Sequence, residues 1–315
     1  MTLKHLSFAL CAALVLLGGC GRKSSAEKAS DGKIKLAGLI PPVAWIASQI
    51  GGDRVTCDVL VPPGQSVHSY KPTPRDIARL QAAQYYLLIG LPLETNTLGK
   101  LLADSKTKVV DITTTIKRRK ISAEDACDHD HDGHDHDGQA HNHEADHQHD
   151  QYEQFYDTHL WLSPVNDIAM GEAICKVLEE ADPAHKAAYR ANLNAFIEKI
   201  NKADKSLKKQ LAPWKGKKFM VYHPAFGYFA DHYGMIQEAV ETGGKSPTPK
   251  QLEKLVKEAR EDNVKLIFVQ PQFPQNSAEA ISEALGAKII VVDSLQSDLL
   301  SVYQDIADHL TESKK

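Results

Sequence analysis

From Ile34 onward, short apolar runs alternate with stretches whose apolar positions return every three or four residues. Ile34–Leu39, Val55–Val61, Tyr85–Gly90 and Val109–Ile112 read as strands, with helical stretches at Val43–Ile50 and Asp76–Ala83. The second half repeats the scheme. Phe219–Tyr222, Leu266–Val269 and Ile289–Val292 are strand-like. A helix runs through Tyr228, Leu252–Arg260 carries Leu252, Leu255, Val256 and Ala259 on one face, Ala278–Leu285 is helical, and a last helix closes the chain. This alternation predicts an α/β protein with two largely parallel sheets covered by helices.

Between the halves, Asp182-Pro183 marks a helix start, and Tyr189, Leu193, Phe196, Ile197, Ile200, Leu207 and Leu211 form one stripe that ends near Pro213. About thirty residues at 1.5 Å each make a helix of roughly 45 Å, enough to run along two lobes and join them as a stiff hinge. The expected organisation is an N-terminal lobe over 34–182, a linking helix over 183–213 and a C-terminal lobe over 214–315.

Two segments depart from this pattern. Lys4 precedes the apolar run Leu6–Leu17, whose twelve residues fall short of the roughly 20 that span a bilayer, so 1–19 reads as a signal peptide. The run ends in Leu17-Gly18-Gly19-Cys20, which resembles the bacterial lipobox and makes Cys20 the candidate lipidation site. Residues 20–33 then form a lipidated tether to a membrane outside the cytoplasm. The second segment, 125–150, has nothing apolar to bury and is expected to be a disordered surface insertion. It carries His129, His131, His134, His136, His141, His143, His147 and His149 among eight Asp, a composition that binds divalent metal weakly.

Lys and Arg total 37 against 41 Asp and Glu, giving a net charge of −4 without a basic block, which argues against nucleic acid as a partner. Fifteen histidines point toward metal instead. Beyond Cys20 only Cys57, Cys127 and Cys175 remain, so at most one internal disulfide is possible and no CxxC exists for a thiolate zinc finger.

Position singles out four candidate ligands. His223 and Asp293 follow expected strands, at the carboxyl ends where open parallel sheets bind ligands. His68 lies in the loop behind Pro62-Pro63-Gly64, and His159 precedes Trp161-Leu162-Ser163-Pro164. Three imidazoles and one carboxylate make a closed tetrahedral zinc site if they converge, although Asp293 could instead cap a helix. His185 and His309 read as solvated surface, and His232 as packing or as support behind a ligand.

Ordered blocks carry a resemblance: Ile50-Gly51-Gly52-Asp53; Leu60-Val61-Pro62-Pro63-Gly64 through His68-Ser69-Tyr70-Lys71-Pro72-Thr73-Pro74 with Asp76; Gly90 with Leu93-Glu94; and His159-Leu160-Trp161-Leu162-Ser163-Pro164. The order continues in His223-Pro224-Ala225-Phe226-Gly227-Tyr228-Phe229, Tyr233-Gly234 and Asp293-Ser294-Leu295. Over about Lys35 to Leu310 the chain resembles the periplasmic substrate-binding proteins of bacterial zinc and manganese ABC transporters, in particular the ZnuA-like zinc-type members. That resemblance implies two Rossmann-like (βα) lobes joined by one long helix, with the metal site in the interlobe cleft. Its implied ligands are His68, His159, His223 and Asp293, holding Zn(2+) as the transported ion, with Mn(2+) second. Where manganese-type members tend to carry Glu, this chain has His223; where Pro usually follows the acid, it has Ser294. The implied partners are an ABC permease with its cytoplasmic ATPase, and the expected form is a monomer rather than an enzyme. A zinc hydrolase would need an open coordination position and a base, and no HExxH supplies one. A passive zinc buffer or metallochaperone is the other rival.

Overall fold

The computed structural model describes residues 32–121, 156–241, 245–273 and 276–313. The signal segment, Cys20 and the eight histidines of the insertion lie outside the described residues.

Near-continuous apolar runs become two parallel four-stranded sheets. The first holds β1 (Ile34–Gly38), β2 (Val55–Val59), β3 (Tyr85–Leu88) and β4 (Lys108–Asp111), in the order β2-β1-β3-β4. The second holds β5 (Lys218–Val221), β6 (Ile236–Ala239), β7 (Leu266–Val269) and β8 (Lys288–Val291), in the matching order β6-β5-β7-β8. In each, the first strand sits between neighbours reached by crossovers in opposite directions, which opens a crevice at the carboxyl ends of the central strands.

Helices α1 (Pro41–Gly51), α2 (Pro74–Gln81) and α3 (Gly99–Ala103) belong to the first half. Next come α4 (Pro164–Ala181), α5 (Lys186–Leu211), α6 (Gly227–Tyr233), α7 (Pro249–Glu261), α8 (Asn276–Leu285) and α9 (Leu299–Glu312). Strand alternation sorts the second sheet's side chains between two cores. Phe219, Val221 and Phe268 join a cluster that runs without a break from Ile34 to Leu310, whereas Met220, Tyr222, Ile267 and Val269 pack on the other face with Ala259, Ala278 and Ile281. Tyr189, Leu193, Phe196, Ile200, Leu207 and Leu211 of the long helix belong to the continuous cluster. Residues Lys33–Lys315 accordingly form one compact unit. Among the described residues no helix is long and apolar enough to cross a membrane.

Besides the short helix α3, which the apolar pattern did not set apart, three elements differ from the sequence expectation. The long helix starts at Lys186, after a 3-10 turn over Pro183–His185, because the Asp182 carboxylate accepts from His185 Nδ1 (2.7 Å) and Tyr189 Oη (2.8 Å) instead of capping backbone N–H groups. Its 26 residues span roughly 39 Å. β6 was not anticipated, since Ile236-Gln237-Glu238-Ala239 at a sheet edge has no apolar run to betray it. The helix after β5 continues to Tyr233, where Gly234 ends it in the left-handed conformation (φ 70°).

One buried acid holds the turn after β3. Glu94 has no exposed surface; its carboxylate accepts from Tyr86 Oη (2.9 Å) and from the N–H groups of Ile89 (3.2 Å) and Leu91 (2.9 Å). Burial outweighs these bonds and pushes its pKa up to about 7. The folded carboxyl therefore takes up a proton near pH 7, whereas the unfolded one does so near 4.5. Between those values the native state binds more protons, so Glu94's contribution to stability falls as pH rises through the window. Glu94→Gln should flatten the decline of the metal-free melting temperature from pH 5 to 8; a decline as steep as wild type would place the titration elsewhere.

Candidate metal centre

Three of the four anticipated ligands meet at the carboxyl ends of the sheets. His68 is carried by the loop after β2, fixed where it enters α2. There Thr73 Oγ1 accepts from Asp76 N (3.3 Å), while Asp76 Oδ2 accepts from Thr73 N (2.9 Å) and Tyr70 Oη (2.9 Å). Bonds from Thr73 above all hold the Asp76 carboxyl well below the usual carboxylate range. His159 ends a short segment before α4, with its ring beside Trp161 at 5.4 Å between centroids. His223 follows β5 by two residues; its backbone is gripped by the Gln270 side chain, which accepts from His223 N (3.3 Å) and donates to His223 O (2.9 Å). Phe273 stacks on its ring at 4.4 Å.

The His223 Nε2 stands 3.1 Å from His68 Nε2 and 3.1 Å from His159 Nε2. A tetrahedral ion with Zn–N of about 2.0–2.1 Å separates its nitrogens by about 3.3 Å, so the spacing matches the edge of a zinc polyhedron. Behind the trio stand two carboxylates. Asp157 Oδ1 lies 2.8 Å from His159 Nδ1, and Glu241 Oε1 lies 3.0 Å from His223 Nδ1. A carboxylate only accepts, so the network assigns the proton of both imidazoles to Nδ1 and a lone pair to both Nε2 atoms. Two lone pairs then face each other at 3.1 Å, an arrangement that a Lewis acid between them relieves. His68 can donate to only one of them.

The half-open cleft lined by Ser66, Val67, His68, His159, Trp161, His223, Gln272, Phe273, Ser294 and Leu295 has a volume of about 10 Å³. That is the scale of one water or ion and too small for an organic substrate. Residue His68 is exposed as a whole, yet it lines this cleft and its Nε2 stands 3.1 Å from the buried His223. Loss of hydration, then the neighbouring His223 and His159, lowers its pKa to about 2. His223 is held well below its ordinary value, by burial first and His159 second, against a smaller opposing pull from Asp157.

Asp293 also follows its strand, β8, by two residues, but it is not among the ligand atoms that lie within 4.8 Å of one another. Its Oδ1 accepts from Gln272 Nε2 (2.6 Å) and Leu295 N (2.9 Å), and the last helix is capped by Asp298. Among the other described histidines, His232 Nε2 meets Asp204 Oδ1 on the long helix at 2.7 Å, and His185 pairs with Asp182. Cys57 and Cys175 are free thiols, pushed up by burial to about 12 and about 11, so neither offers a thiolate. Sequence reasoning missed Asp157 and Glu241. Glu241 occupies the same position after β6 that His223 and Asp293 occupy after β5 and β8, a signal hidden because β6 itself went unread.

Two parallel sheets in matching order, with three imidazoles around an ion-sized cavity at their carboxyl ends, define a two-sheet α/β protein whose cleft suits a single ion. The family model described as the periplasmic component A of the zinc-uptake complex, ZnuA, matches residues 39–313, and the chain belongs to that family. Among curated relatives, the zinc-binding lipoprotein AdcA of Streptococcus pneumoniae is 28% identical over 277 residues, which is 87% of this chain and 52% of AdcA. The chain thus spans about half the length of the AdcA proteins it matches. The high-affinity zinc uptake system protein ZnuA of Bacillus subtilis is 29% identical over 296 residues, covering 92% of this chain and 88% of that protein. Among solved structures, a ZnuA crystal structure superposes with a TM-score of 0.77 at 30% identity, over 90% of this chain and 100% of that one. A ZnuA deletion mutant with zinc bound gives 0.76 at 30% identity, over 89% and 98%.

Proposed function

We propose that this chain captures Zn(2+) outside the cytoplasm and delivers it to a membrane ABC permease, with His68, His159, His223 and Asp293 as ligands. The observation that carries the reading is the pair of Nε2 lone pairs, on His159 and His223, aimed at one point with His68 beside them. Asp293 supplies the fourth position through its second oxygen, which has no hydrogen-bond partner among the described residues. Three borderline nitrogens favour zinc over manganese, which prefers more oxygen and higher coordination. The names of the B. subtilis and S. pneumoniae relatives support zinc as the cargo and a lipid anchor, here on Cys20. The histidines of 129–149 act as a separate, weaker store.

Equilibrium titration of the full chain tests this reading, and one tight equivalent of zinc is expected. Binding needs neutral imidazoles, and His68 and His223 stay neutral well below pH 6.5. The tight site should therefore lose less than about tenfold in affinity between pH 7.5 and 5.5. Two ordinary imidazoles with a pKa of about 6.5 would lose roughly a hundredfold over that range, and the insertion's weak sites should fade accordingly. A tight site that weakens in step with the weak ones would refute the assignment.

A further inference from the structure

Two buried carboxylates meet the Nδ1 atoms of His159 and His223, on the far side of each ring from the Nε2 cluster. Resting on the zinc reading above, we propose that Asp157 and Glu241 are positioning residues of the metal centre, and that Arg119 and Gly227 seat the Asp157 carboxylate.

Asp157 is 4% exposed, and its Oδ1 accepts both the His159 main-chain N–H (2.9 Å) and Nδ1–H (2.8 Å), fixing the backbone and the ring together. Its Oδ2 faces Arg119 Nη1 at 3.4 Å. Arg119 is itself tied to α6 through Nε to Asp231 Oδ2 (3.0 Å), and its N–H donates to Tyr228 Oη (2.8 Å). Tyr228 Oη in turn donates to the Asp157 carbonyl (3.1 Å), so the segment carrying His159 is clamped to the second half of the chain. At the centre of this clamp is Gly227. A Cβ there would fall 2.5 Å from Asp157 Oδ2 and 2.6 Å from Arg119 Nη1, so any other residue must displace one of the two. Glu241 plays the equivalent part for His223, at 3.0 Å and 4% exposed.

Neither carboxylate belongs to the cluster of ligand atoms, so both act through the imidazoles. Without them a neutral ring carries its proton on either nitrogen, and the wrong choice puts an N–H where the ion must sit. An anionic acceptor also raises the basicity of the ligating nitrogen, and removal of such partners typically costs 10–100-fold in metal affinity.

The test uses the full chain, with zinc affinity measured by chelator competition and imidazole tautomers read by ¹⁵N NMR of the metal-free protein. Asp157→Asn and Glu241→Gln should each weaken zinc about 10–100-fold. Each should also mix the tautomers of its own histidine alone, with metal-free melting close to wild type. Gly227→Ala should weaken zinc in the wild-type background but cost little more in Asp157→Asn, because it acts through that carboxylate. Retained affinity (within twofold) and unchanged tautomers in Asp157→Asn and Glu241→Gln, while His159→Ala loses zinc, would overturn the proposal and leave the zinc site standing. Retained zinc affinity in His159→Ala and His223→Ala would instead remove the metal reading on which it rests.

Discussion

His223→Ala should weaken the tight zinc site by roughly a hundred- to a thousandfold, the largest effect expected of any single replacement. Structural zinc sites are worth about 10–16 kcal/mol at pH 7, so one of four ligands carries roughly 2.5–4 kcal/mol, and each 1.4 kcal/mol is a factor of ten. His223 stands at the upper end because its Nε2 is the common neighbour of the other two, at 3.1 Å from each, and because the residue is buried where water enters poorly. His68→Ala should cost less, since residue 68 opens to solvent and a water can take its place. Asp293→Ala should cost least, a carboxylate oxygen being the easiest donor for water to replace. Chelator-competition titrations rank the four, and an Asp293 effect larger than that of His223 would reverse the assignment.

Trp161→Ala should lower stability by about 3–5 kcal/mol, the usual range for removing a large buried aromatic side chain. Trp161 is 1% exposed, and its Nε1–H donates to the Ser294 carbonyl at 2.8 Å, next to Asp293. Its own carbonyl lies 3.0 Å from Tyr303 Oη, which is also hydrogen-bonded to the buried Asp167 carboxyl (2.7 Å), so the indole stands where α4 and α9 join the two halves. Truncation leaves a cavity beside His159 as well as an unpaired Ser294 carbonyl. Trp161→Phe separates the two effects: it keeps most of the volume and should cost about 1–3 kcal/mol for the lost donor. Denaturant unfolding of the metal-free protein measures both, and equal losses would mean that packing contributes little at this position.

Strands and helices with an apolar face were legible in the sequence because burial on a sheet leaves a pattern: Phe219-Met220-Val221-Tyr222 divides its residues between two cores. His223 was legible for the same reason, as the chemistry-bearing residue just past such a run. What pattern could not reveal depends on partners far away in the chain. Glu241 looks like an ordinary surface acid until β6 sets it against His223, 18 residues earlier. Asp157 is one acid in the polar stretch between the insertion and His159 until Arg119 closes on it from the other side. Glu94 is a charge in a short polar stretch, and only the three-dimensional turn shows it fully enclosed by its own hydrogen bonds. Asp182-Pro183 was a sound stop-and-start signal whose carboxylate found Tyr189 instead of the backbone, which delayed the helix by one turn.

One zinc ion bound by the imidazoles of His68, His159 and His223 has a definite signature in the zinc-edge X-ray absorption spectrum of the full chain loaded with one equivalent, recorded beside that of His159→Ala. The expected spectrum has only nitrogen and oxygen neighbours at about 2.0–2.1 Å, three of them imidazoles, falling to two in the variant. A sulfur shell near 2.3 Å, or an imidazole count unchanged in His159→Ala, would contradict it.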